Sequence, residues 1–295
     1  IVSDILLEPI FKKTEIEKER GVVLQEIAMY EDNPQRQAYE LVEALLYGDQ
    51  PAGWEISGTP DTVKGISRED ILLYKKSHYI TSNAVVVAAG NIEPEEAFKK
   101  IEKAFLEMPK GKKPHKAKVL ERQRKPAVKF KKKDVDQTHL RFALRSYDMY
   151  DERRYALQIL STIFGGNMSS YLFREIREKA GLAYYVGASP DEATDTGYLL
   201  ATAGVAHANF LKTVKKIVEI LRHIKTKGVT EREINFAKEF IRGSMALAFE
   251  STDEVAAFLA SQELFYEKIM TPQEILAKIE KVRRSDIMGV VRDVF

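Results

Sequence analysis

One pattern occurs twice in this chain, and it restricts the fold more than any other feature. TPDTVKGISREDI at 59–71 aligns with TPQEILAKIEKVRRSDI at 271–287 once a few residues are inserted, and TEIEKERGVVLQE at 14–26 aligns with TEREINFAKEFIR at 230–242. Identity is low, but order and spacing agree across both segments. This points to two copies of one α+β unit, one before residue 109 and one in the tail of the chain. On that alignment Arg242, not an acid, stands near the place that Glu26 takes in the first copy.

Between the copies, PKGKKPHKAKVLERQRKP at 109–126 breaks every periodicity with three prolines, a glycine and a dense basic run. Such a stretch reads as a linker. The expected organisation is therefore residues 1–108 as one domain, 109–126 as a basic linker and 127–295 as a second domain. Apolar spacing predicts helices over 14–31, 35–47, 67–77, 93–107, 152–164, 168–180 and 208–227, and a wholly helical stretch over 230–295. Strands are predicted over 82–92, 127–133, 138–147, 182–189 and 197–206, the first from the continuous apolar run SNAVVVAAGNI. The fold class is α+β: two homologous α/β domains, each an antiparallel-rich sheet covered by helices.

Composition excludes several classes of function. A net charge of +2 with 31% charged residues leaves no global basic field, and the cations at 111–133 are not interleaved with the aromatics of a single-strand-binding surface. A solvated linker, not a nucleic-acid site, is expected there. No window approaches the ~18 apolar residues of a membrane span. Without cysteine there is no disulfide, thiolate metal site or thiol nucleophile, although the compartment stays open. The chain starts at Ile1 with no signal-peptide design, so an upstream segment, with any targeting information, is expected to have been removed or left out. A cytoplasmic location is the working expectation.

Five segments then fall in a telling order: EKERGVVLQEIAMYEDNP, LLYGDQPAGWEISGTPDTVKGIS, YITSNAVVVAAGNIEPEEAFKKIEKAF, DQTHLRFA, and the glycine pair 165–166 running through REKAGLAYYVGAS. Together they resemble the pitrilysin/insulinase or mitochondrial-processing-peptidase family of zinc metallopeptidases, over nearly the whole chain. The resemblance implies duplicated α/β domains, an inverted H-x-x-E-H zinc motif and a glutamate from a later helix completing the site. It assigns Glu26 as that zinc ligand and Glu19 as a supporting carboxylate. Seven residues along a helix return to the same face but ~10 Å further along the axis, so only one of the two acids can ligate a given ion. Glu15, Glu17 and Glu31 keep open the alternative of an ordinary acidic, solvated helix, while Val22 and Val23 between the two acids favour a partly covered face.

The second constellation is Arg177 and Tyr184. A helix beginning after Gly165 and Gly166, with Asn167 as cap, is expected to end at Lys179 or Ala180, where Gly181 can adopt the left-handed conformation that closes a helix. A strand from Leu182 to Val186 then brings the arginine and the tyrosine together. By resemblance they hydrogen-bond the substrate backbone, and a guanidinium and a phenol suit a carbonyl oxygen that gains negative charge. The alternative is that Arg177 pairs with a surface acid and Tyr184 packs in the core.

His78, His115, His139, His207 and His223 form no i, i+4 pair and no H-x-x-E-H. A zinc site for catalysis takes three protein ligands and a water; the resemblance places the H-x-x-E-H motif ahead of the Glu26 helix, so it is expected upstream of Ile1. His139 is expected to be structural and His115 solvated. The reading is a zinc-dependent endopeptidase that is inactive as these 295 residues alone, acting on peptides or unfolded chains, and pairing as a homodimer or with a homologous subunit. The other reading is a non-catalytic peptide-binding or scaffolding subunit that pairs with an active partner.

Overall fold

The computed structural model describes residues 1–295. In chain order the first helices are α1 (Val2–Leu7), α2 (Lys13–Asp32), α3 (Pro34–Tyr47), α4 (Pro60–Gly65), α5 (Arg68–His78) and α6 (Pro94–Ala104). Strand β1 (Thr138–Arg145) and helix α7 (Arg154–Phe164) come next, then a π-helical segment (Phe173–Glu178), β2 (Ala183–Glu192) and β3 (Gly197–Val205). The tail holds α8 (Phe210–Lys227), α9 (Glu231–Ala248), α10 (Thr252–Phe265), α11 (Pro272–Lys281) and α12 (Arg284–Val294). The architecture is α+β. No helix is long and apolar enough to cross a membrane.

The chain divides into two units. Unit 1 takes residues 1–32, 55–117 and 248–269; unit 2 takes 33–54, 118–247 and 270–295. The step from 117 to 118 falls inside the basic stretch. Its second half is tied down in unit 2: Val119 donates to Asp195 (2.8 Å), and Gln50 brackets the backbone of Leu120 (2.9 and 3.0 Å).

Unit 2 is built on an antiparallel sheet of order β1-β3-β2, with Arg145 opposite Tyr198 and Glu192 opposite Gly197. Both faces are covered. Leu140, Phe142 and Leu144 of β1 and Leu199 and Ala201 of β3 face a core filled by α7, α8, α9, α11 and α12. Helix α7 is buried on nearly every side, whereas α8 buries one stripe, Thr213, Ile217, Ile220, Leu221 and Ile224, at helical spacing. On the other face Val42 and Leu46 of α3 pack on Tyr198, Leu200 and Ala143. That double burial explains why GYLLATAGV reads as a near-continuous apolar run, not an alternation.

Unit 1 has no comparable core. Its buried apolar side chains are Ile27, Val63 and Ile80, while Leu73, Phe98 and Leu106 are exposed. Two expected strands are corrected here. Residues 84–89 join no ladder, with Val85 and Val86 open to solvent, and neither does 127–133 in unit 2, with Val128 84% and Phe130 87% exposed. A strand is defined by its partner; apolar residues of β propensity form none where no neighbouring backbone is present to pair.

The duplication is visible in local chemistry. Thr59 and Thr271 each open a capping box, and Asp70 and Asp286 each accept the backbone N–H of the residue before the next helix, Ser67 and Arg283, at 2.8 Å. In unit 1, Arg20 of α2 donates to the carbonyls of Val63 and Ile66 in the α4–α5 turn. In unit 2, Lys238 of α9 does the same to Glu280 (2.7 Å) and Val282 (2.9 Å) in the α11–α12 turn.

Candidate substrate-binding site

The turn after α7 is shaped by Asn167, whose side chain accepts from the Ser169 N–H at 2.7 Å. The helix itself starts later than the sequence predicts, after the buried Ser170, whose Oγ accepts from Phe173 and whose carbonyl accepts from Arg174. It is wound wide: the Lys179 N–H reaches back five residues to the Arg174 carbonyl at 2.9 Å. One extra residue per turn rotates the following side chains, and such widened turns recur at functional sites. Leu172 and Ile176 point into the core, while Arg177 is exposed, its guanidinium carbon 5.1 Å from the Phe173 ring centroid. No carboxylate pairs with it. The nearby Glu175 is occupied by Lys179 at 2.7 Å, a hydrogen bond that holds the Glu175 carboxyl below its ordinary value.

Gly181 closes the segment at φ +59°, as its position predicts, and the Leu182 N–H returns to the Ile176 carbonyl at 2.9 Å. Strand β2 then begins with a bulge. Ala183 lies opposite Val205 and Tyr185 opposite Gly204, so Tyr184 is an extra residue with no partner on β3. A bulge of this kind re-aims a side chain. Tyr184 is 62% exposed and its hydroxyl makes no bond within the chain. Neither half of the alternative expectation is found: Arg177 does not pair with an acid and Tyr184 does not pack in the core. Both are exposed donors without a hydrogen-bond acceptor in the chain.

Directly after the bulge lies a polar cluster. Tyr185 bonds His139 Nδ1 at 2.9 Å, with the rings stacked at 6.1 Å, and receives a longer bond from Arg141 at 3.4 Å. Burial and the nearby Arg141 charge lower the His139 pKa. Gly204 is required beneath it, because a Cβ there would lie 2.2 Å from Tyr185 Cε1. Sequence reasoning placed His139 as structural and passed over Arg141 and Tyr185. The available signal was two polar residues, His139 and Arg141, alternating with Leu140 and Phe142 on a strand.

Farther along the same sheet face, Tyr198 donates to Tyr39 (2.9 Å) and Tyr39 to Asp191 (3.0 Å), with Glu43 at 3.3 Å from Tyr198. Burial pushes the Tyr39 phenol up to about 12 and raises Tyr198 and Glu43. This network pins α3 to the sheet. It was not legible in the sequence.

Glu19 and Glu26 lie on α2 in unit 1, and both are exposed without a hydrogen-bond partner. Val23 between them is half-buried, but Val22 is 46% exposed, so the face they share is less covered than expected. No three His, Cys, Asp or Glu side chains converge anywhere to hold a metal. The histidines are engaged elsewhere or scattered: His78 stacks on Tyr74 at 4.0 Å, and His207 bonds Thr138 and the Val135 carbonyl. The donor set of these residues alone does not fit a zinc ion, which needs three protein ligands.

Comparison with known proteins adds independent findings. A family model described as the peptidase M16 inactive domain matches residues 65–241. An uncharacterized zinc protease of Streptomyces coelicolor is 31% identical over 300 residues, covering 100% of this chain and 65% of the relative. The uncharacterized zinc protease YmxG of Bacillus subtilis is 31% identical over 297 residues, covering 100% of this chain and 71% of YmxG. The chain thus spans about two thirds of the length of these relatives. Among solved structures, a peptidase M16 inactive domain from Pseudomonas fluorescens superposes with TM-score 0.86 at 18% identity, covering 99% of this chain and 70% of that one. A protease from Helicobacter pylori superposes at 0.84 and 22% identity, covering 97% and 70%.

Proposed function

We propose, since the chain belongs to the M16 peptidase family, that it is the substrate-holding part of a zinc-dependent, processing-peptidase-like endopeptidase that acts on short or unfolded peptides. The observation that carries this reading is the pair of unengaged donors in unit 2, Arg177 at the end of a widened helical turn and Tyr184 on a bulge. Each can donate to a peptide carbonyl, and neither makes a hydrogen bond or ion pair within the chain, although Arg177 lies over the Phe173 ring. The names of the relatives, zinc proteases, support the reaction class. When bound, zinc would supply Lewis-acid activation. These residues hold at most one of its ligands, Glu26, with Glu19 two turns away as a supporting carboxylate, and the other donors have to come from outside residues 1–295. The division at 109–126 separates, on this reading, the metal-side domain from the gripping domain.

The test is fluorescence anisotropy with a fluorescein-labelled unfolded casein peptide. Arg177→Ala and Tyr184→Phe should each weaken binding at least about tenfold, the loss of one hydrogen bond to a charged or aligned group. Unchanged binding in both variants defeats the peptide grip. The 295-residue chain by itself should show no zinc-dependent hydrolysis.

A second reading, a non-catalytic subunit that grips peptide for a homologous partner, is supported by the match of residues 65–241 to the M16 inactive domain. In the protein as expressed from its gene, chelator-sensitive cleavage that Glu26→Gln abolishes supports the peptidase. Cleavage that arises only on mixing with a homologous zinc-bearing subunit supports the alternative. Either reading has the chain assembling with a second copy or a related subunit, which native mass measurement decides.

A further inference from the structure

We propose that His139, Arg141 and Tyr185 form a subsite for a carboxylate of the bound peptide, next to Tyr184. His139 and Arg141 lie opposite Gly204 and Thr202, and Tyr185 also lies opposite Gly204, so all three share the sheet face that α3 covers farther along. Arg145, on the same face of the same strand, is neutralised by Glu121 at 3.1 Å. Arg141 has no such partner. Its bonds go to three neutral oxygens, the carbonyls of Leu140 (3.2 Å) and Gln35 (3.1 Å) and the hydroxyl of Tyr185 (3.4 Å), and its buried Nε has none.

A half-buried guanidinium without an anion is an unbalanced charge in a medium that solvates it poorly. The rest of the cluster does not relieve it. Burial and the Arg141 charge oppose protonation of His139, and the Tyr185 hydroxyl is bonded to the His139 ring. The site is also shaped: Gly204 lets the Tyr185 ring lie against the strand, and the His139 ring stacks on it. Planar guanidinium and carboxylate are matched in geometry, and such pairs are among the stronger hydrogen bonds in proteins. The matching group on a peptide is its terminal carboxylate or an Asp or Glu side chain. The inference takes the word peptide from the proposed function and otherwise stands on this cluster.

Two measurements test it. In the first, imidazole resonances of His139 are followed by NMR as propionate, or propionamide as the neutral control, is added to the 295-residue chain. Propionate should shift them saturably, propionamide should not, and Arg141→Gln should abolish the response while Arg141→Lys retains part of it. In the second, binding is compared for one alanine-rich peptide in three forms: amidated, with a free terminal carboxylate, and amidated with an internal glutamate. One of the acidic forms should bind about tenfold more tightly than the neutral form, as expected for one charged hydrogen bond, and Arg141→Gln should erase that preference. The preferred acidic form identifies the source of the carboxylate. Absence of a propionate response, a response that survives Arg141→Gln, or equal binding of the three peptides overturns the subsite. If propionate binds and no peptide does, the peptide grip fails and the carboxylate site stands.

Discussion

Helix α2 with the α4–α5 turn, and helix α9 with the α11–α12 turn, repeat one arrangement with different outcomes. In both, a threonine caps the first short helix, an aspartate in the first turn of the second accepts the N–H of the residue before that helix, and a cation from the long helix binds the carbonyls between them. Helix α9 also buries Ile234, Ala237 and Ile241 in the main core, whereas α2 buries Ile27 alone. Capping and carbonyl capture can therefore shape a helix–turn–helix locally, while burial depends on a sheet for the helices to lie on. It also separates the chemistry: the first copy presents the exposed Glu26, and the second presents Arg242, engaged with Glu239 and Glu280.

The largest effect is expected from emptying the core of unit 2. Leu160→Ala or Ile176→Ala, both fully buried, should each cost about 2–5 kcal/mol in urea denaturation. Leu73→Ala in unit 1, at a residue 66% exposed, should stay within about 0.5 kcal/mol; equal losses would mean that the two units are cored alike. Next in size, Lys238→Met should cost about 1–2 kcal/mol by removing two hydrogen bonds from a charged donor, read as faster amide exchange in the α11–α12 turn. Arg20→Met should loosen the α4–α5 turn in the same direction. Thr271→Ala should remove about 1 kcal/mol through its cap, with local exchange again the readout.

A smaller effect sharpens the contrast through pH. Burial raises the Glu43 pKa, so the folded state favours the protonated acid. The resulting penalty on stability is complete above the folded pKa and fades as pH falls through that value toward the ordinary carboxylate range. Glu43→Gln should therefore raise the urea midpoint of unit 2 at pH 7, with the gain shrinking toward pH 4. A gain that does not change with pH would assign the effect to packing. The smallest expectation is for Arg242→Ala, whose ion pairs are exposed: its midpoint should match the parent, because such pairs contribute little.

Much of the helical framework was legible because periodic apolar residues and caps are local signals. Gly181 could be read directly as a helix stop, whereas Thr59 and Thr271 stood out only as corresponding positions of the repeat. The SNAVVVAAGNI run could not, because whether an apolar extended segment becomes a strand is decided by a partner far away in sequence. For the same reason the stripe Tyr39, Val42 and Leu46 marks α3 as buried on one side without saying that the covering surface is the β1-β3-β2 sheet. Within the candidate site, Arg177 and Tyr184 were visible as residues. The bulge was not, since it exists only in register with β3, and Arg141 was not, since what distinguishes it is the lack of an acid opposite.

The supernumerary residue at 184 has a consequence for how this strand can change. Side chains on a strand alternate faces, so removing one residue between Ala183 and Tyr185 would yield a more regular ladder, continuous from end to end and with the later residues undisturbed in their facing. That tidier strand would have lost the one phenol that belongs to neither face. Deletions here would leave the architecture intact and silence the surface, which makes the irregularity itself the part of the strand most worth following through evolution.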